Sequence, residues 1–122
     1  MESNAKAVDD EYSELHDLQN LEFKLKKNPE GYKQDMVIVI KLYNELFEII
    51  KENPLKRNPR FLEVTSFLTH VSEFYKDDLI FLPESLIQLL DSYGEIMNPS
   101  MRLKIVILMI QLRNKSLIPT VT

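Results

Sequence analysis

Cysteine is missing from this 122-residue chain. That excludes a disulfide framework and a thiolate metal site, and it points to an intracellular protein. Glycine is nearly missing too: Gly31 and Gly94 are the only two. A sheet-rich fold needs more turn glycine than that, and two isolated glycines cannot build a phosphate-cradling loop. No G-x-S-x-G elbow occurs to present a serine nucleophile. The two histidines, His16 and His70, stand at no metal-binding spacing and read as solvated or structural. Long apolar runs are absent as well. IVILMI, residues 105–110, lies between Lys104 and Arg113, which leaves eight positions free of cations, whereas a bilayer span needs roughly 20 apolar residues. The first segment, MESNAKAVDDEYSE, has no apolar stretch and does not read as a secretory signal. Nothing here argues for an enzyme, a cofactor, a small-molecule substrate or a membrane.

What is present suits one compact helical domain with a modest core. Residues 1–50 carry 11 acids and 6 bases, whereas residues 51–122 carry 8 acids and 9 bases. The net charge of -4 excludes a polycation built for nonspecific nucleic-acid binding. Proline does the punctuation that glycine does not. Four of the six prolines follow asparagine, at Pro29, Pro54, Pro59 and Pro99. Asparagine caps helix N-termini and proline suits the first helical position, so Pro29, Pro59 and Pro99 are expected to start helices. Asn53-Pro54 falls where a helix should stop. Apolar spacings of three and four predict five helices, over roughly 13–27, 29–52, 59–75, 83–93 and 99–114. Pro83 would start the fourth and Gly94 would follow its end. The β-branched runs at 36–40 and 105–110 could instead be strands, but each lies inside a longer helical pattern. Residues 1–12 read as a disordered acidic tail and 13–122 as one all-α domain. Helix pairs of about 40 residues have the size of HEAT or armadillo elements, which predicts an α-solenoid fragment; a closed helical bundle is the alternative.

Two basic clusters are the candidate sites. Lys51, Lys56, Arg57 and Arg60 surround the linker ENPLKRNPR, opposed by Glu52 alone. Arg102, Lys104, Arg113 and Lys115 flank the fifth helix, and no acid occurs from Pro99 onward. Such cations could contact phosphates of RNA without reading sequence, or simply be a solvated loop and favourable charge at a helix C-terminus. Asp77-Asp78, with Glu84, reads as acid placed ahead of a helix N-terminus. The fifth helix is apolar on most sides, and a helix of that kind is normally buried all round. Ile105, Val106, Leu108, Met109 and Leu112 are therefore candidates to face a partner or a further helical layer. At its end Arg113 and Lys115 suit the negative pole, Asn114 can take a left-handed cap conformation, and Leu117 and Ile118 can fold back.

Six segments carry a family resemblance. LRNKSLI at 112–118, LQNL at 18–21, KNPEGY at 27–32, FLTHVS at 67–72 followed by Tyr75, FLP at 81–83 and NPSMR at 98–102 occur in series. Together they resemble the N-terminal domain of the severe-depolymerization-of-actin (SDA) proteins, over about residues 15–119. Asn98-Pro99 stands where the family has Asp-Pro, and Met101 and Arg102 are in swapped order. The resemblance implies a helical solenoid and a non-enzymatic factor, with no catalytic residue to carry over. Family members are nucleolar factors for large ribosomal subunit assembly and export. The implied partners are pre-large-subunit particles, with their ribosomal RNA and assembly factors, in the nucleus and nucleolus. Members are several-fold longer, so the chain is expected to be a fragment, a split product or a reduced homologue. Two other readings stay open: a protein–protein adaptor in transport or the cytoskeleton, and a domain that hides its fifth helix in a homodimer.

Overall fold

The structure is a computed structural model that describes residues 18–115. These form five α-helices and no strand: α1 Leu18–Lys27, α2 Lys33–Glu52, α3 Pro59–Val71, α4 Phe81–Tyr93 and α5 Pro99–Asn114, with a 3₁₀ turn at Ser72–Phe74. Both β-branched runs are helical. The acidic tail, His16, and the residues beyond Lys115, with Leu117 and Ile118, lie outside the described residues.

Two of the three Asn-Pro starts hold. Asn98 Oδ1 accepts from the N–H groups of Ser100 and Met101 at 3.0 and 3.3 Å, and Asn58 Oδ1 accepts from Phe61 N–H at 3.1 Å. The following prolines occupy the first helical position, where no N–H partner is available anyway. Asn28-Pro29 does not start α2. The Asn28 side chain accepts from Gly31 N–H at 3.1 Å and closes a turn, and the helix begins only at Lys33. α4 begins at Phe81, two residues before the expected Pro83. Pro83 still falls in the first turn, whose N–H groups lack intrahelical partners. Gly94 follows α4 as expected, and a Cβ there would collide with the carbonyl oxygen of Leu90. α3 stops at Val71 instead of reaching Tyr75. Ser72 Oγ donates to Thr69 O at 2.7 Å and Thr69 Oγ1 to Thr65 O at 2.8 Å. Hydroxyls that bond back to carbonyls compete with the helical ladder, and the chain tightens into the 3₁₀ turn. At the far end Asn114 is still helical, and the capping residue Lys115 has φ −90° and ψ 8°. The expected left-handed cap at Asn114 is therefore not formed.

The helices make two layers. Glu22 on α1 meets His70 on α3, and the Tyr75 hydroxyl donates to the carbonyl of Pro29, just past α1. Asn58, before α3, meets Met101 on α5, and the carbonyl of His70 meets Lys115 at the other end. α1, α3 and α5 thus run side by side in one direction. α2 and α4 form the second layer, joined through Tyr43, Phe81 and Ser85. α3 is central, packing on α1, α2 and α5. Its Phe61, Val64, Leu68 and Val71 are fully buried. Alternation of two parallel layers is the geometry of stacked helical hairpins.

Candidate nucleic-acid and partner interfaces

The α2–α3 loop is built by short-range bonds and then pinned from outside. The Asn53 N–H caps the carbonyls of Ile49 and Ile50, and Lys56 N–H turns back to Asn53 O at 3.2 Å. Two contacts fix the loop to the start of α5. Asn98 N–H donates to Pro54 O at 3.2 Å, and Asn58 N–H points to Met101 Sδ at 3.4 Å. Lys56, Arg57 and Arg60 are brought to one groove of about 260 Å³, whose floor is Leu46, Ile49 and Ile50. The start of α3, positive by its helix dipole, opens on the same side. Lys51, expected in this cluster, does not join it. It pairs with Glu48 at 3.3 Å and lies over the Phe47 ring.

The second basic cluster is not a cluster in space. Arg102 to Lys115 spans roughly 20 Å along a helix that rises about 1.5 Å per residue. Arg102 donates to Gly94 O at 3.2 Å, and Lys115 donates to His70 O at 3.2 Å and pairs with Glu73 at 3.8 Å. Lys104 lies in a separate groove beside Leu62, Ser66, Ile107 and Leu108, and Arg113 is exposed.

Burial also revises the partner-facing set on α5. Ile105 and Leu112 are completely buried and Leu108 is 7% exposed, so all three belong to this domain's own core. Met109 packs at its edge. Of the expected residues only Val106 points out, at 38% exposure. It stands with Leu103 (62%), Ile107 (45%) and Ile110 (54%), which the sequence reading did not single out. No periodicity in the sequence separates them, because α5 is apolar on most sides.

One ionic contact escaped the sequence entirely. His70 Nδ1 lies 3.0 Å from Glu22 Oε1, and Lys26 Nζ lies 3.2 Å from the other oxygen. Partial burial works to raise the Glu22 pKa, but the bonds and charges of His70 and Lys26 outweigh it and hold the carboxyl below its usual value. Among the described residues, no group of three or more His, Cys, Asp and Glu is placed to hold a metal ion. No helix among them is long and apolar enough to cross a membrane.

Comparison with known proteins agrees with this architecture. The family profile described as "SDA1, HEAT repeat" matches residues 67–122. A Drosophila melanogaster "Protein SDA1 homolog" is 32% identical over 105 residues, covering 86% of this chain and 14% of that protein. The Dictyostelium discoideum homologue is 28% identical over 108 residues, 88% of this chain and 14% of its own length. "Protein sda1" of Schizosaccharomyces pombe is 27% identical over 107 residues, 88% of this chain and 15% of the yeast protein. The chain thus spans only 14–15% of the length of these relatives. Identity of 32% to the Drosophila protein over 86% of this chain, with the HEAT-repeat match over residues 67–122, places the chain in the SDA1 family.

Proposed function

We propose that this chain acts as a non-enzymatic scaffold in large ribosomal subunit assembly and export, in the nucleus and nucleolus. Family membership is the observation that carries the reading. Its physical support is the groove where Lys56, Arg57 and Arg60 converge beside the start of α3. Guanidinium and ammonium groups at a positive helix end suit phosphate oxygens. They would hold the domain on ribosomal RNA without reading bases. Lys51, Arg102 and Lys115 have intramolecular partners, so Lys56 and Arg57 are the RNA-facing residues of this proposal.

The test has two arms. A tagged chain should sediment with pre-large-subunit particles, and its depletion should lower large-subunit levels. In vitro, Lys56→Ala and Arg57→Ala should each weaken binding to structured RNA. Each should also reduce the slope of log affinity against log salt by about 1. Absence from those particles together with normal subunit levels would reject the ribosomal role. Salt-insensitive binding to a protein alone would favour a transport or cytoskeletal adaptor.

A further inference from the structure

The exposed row on α5 has an address in the fold. Met101, Ile105, Leu108 and Leu112 define the inward side of the helix. At about 100° per residue, Leu103, Val106, Ile107 and Ile110 stand opposite them. α3 occupies one flank, where Leu62 and Ser66 close a groove of about 210 Å³ with Lys104, Ile107 and Leu108. A helix set beside α5 as α5 is set beside α3 would take the other flank, that of Arg102, Met109 and Arg113. The apolar row would stay open on the free side of the α1–α3–α5 layer.

Charge selects the occupant. α5 carries no carboxylate. Arg102 is occupied by Gly94 O, and Lys115 by His70 O and Glu73. Lys104 and Arg113 have no hydrogen-bond or ion-pair partner among the described residues. They border the row on its two sides, about 13 Å apart along the axis at about 1.5 Å per residue. A second copy laid on this face would bring two sets of Lys104 and Arg113 to one interface with no carboxylate of α5 to offset them, and like charges repel. A phosphate backbone would satisfy the cations but leave four apolar side chains uncovered. An amphipathic helix with carboxylates beside its apolar stripe meets both demands.

We propose that this face of α5 binds an amphipathic α-helix of a protein partner. The partner's apolar stripe would lie on Leu103, Val106, Ile107 and Ile110, and its carboxylates, roughly two and a half turns apart, would meet Lys104 and Arg113. The proposal goes beyond the ribosomal reading and does not depend on it. The probe is a displayed library of 18-residue helical peptides, randomised on one face and selected on the full chain. Selected peptides should pair an i, i+3, i+7 apolar stripe with flanking Asp or Glu. Ile110→Asp and, separately, Leu103→Glu should weaken them at least tenfold with helical circular dichroism unchanged. The double reversal Lys104→Glu/Arg113→Glu should transfer preference to Lys-flanked versions of the same peptides. Three results overturn the proposal: no selected binder, binders without acidic bias, or binders indifferent to both apolar variants. So does a concentration-dependent dimer in light scattering that Ile110→Asp abolishes, which identifies a second copy. Displacement of the peptides by poly(U) overturns it in favour of RNA.

Discussion

At the scale of the residue, Tyr43 ties α2 to both α3 and α4. Its ring lies 5.3 Å from Phe61 on α3, 5.7 Å from Phe81 on α4 and 5.9 Å from Phe47 on its own helix. Ser85 Oγ already donates to Leu82 O, so the Tyr43 hydroxyl is the donor in their 2.6 Å bond. Burial pushes that hydroxyl's pKa well above its ordinary value, so it stays protonated. Tyr43→Ala should cost about 3–5 kcal/mol through the cavity it leaves. Tyr43→Phe should cost only about 0.5–1.5 kcal/mol, the net value of one hydrogen bond. Urea unfolding of the two variants separates packing from bonding. The apolar period of α2 marks Tyr43 as a core residue in the sequence. It does not mark Ser85, 42 positions on. His70 is a similar case: it reads as structural, but its partner Glu22 lies 48 positions upstream, and no local spacing points to it.

At the scale of the element, asparagine before proline was the most informative local signal, and it succeeded only where nothing competed for the side chain. Asn58 and Asn98 cap helices; Asn28 serves the Gly31 N–H instead. Asn58→Ala and Asn98→Ala should each cost about 1 kcal/mol. Asn28→Ala should stay within about 0.5 kcal/mol, because water can take over an exposed turn N–H. Thermal unfolding of the three variants checks the contrast. Helix α1 is held partly by charge. The Glu22 carboxyl sits below its ordinary pKa of 4.5. Its contribution is therefore present above pH 4.5 and fades as pH falls through its lower folded value. Acidification from about pH 5 to about pH 3 should lower amide protection factors in Leu18–Lys27 before the rest of the chain. Glu22→Gln should remove that early step. The two basic clusters show what a linear sequence leaves out. Lys56 and Arg57 stay together because a loop is short; Arg102 and Lys115 separate because a helix is long.

At the scale of the whole molecule, protection should follow the stacking order. α3 is covered by α1, α2 and α5, so its amides should exchange most slowly, and those of α1 most quickly. The solenoid class and the five helices of the described residues were readable from periodicity, since each hairpin announces itself locally. Layer assignment was not, because it depends on contacts such as Asn98 to Pro54 that link separate hairpins. That contact has a mechanical consequence. Near the starts of α3 and α5 the hairpins are joined through main-chain N–H groups, by Asn98 to Pro54 and by Asn58 to Met101 Sδ. At the opposite pole α3 and α5 are joined through the flexible Lys115 side chain, to His70 O and Glu73. Spin labels on α3 and α5 should report a narrow distance distribution near their starts and a broader one near their ends. On that expectation the stack would open and close like a hand fan, with its rivet at the α2–α3 loop. A ligand seated on Lys56 and Arg57 would grip the rivet and leave the blades free to move.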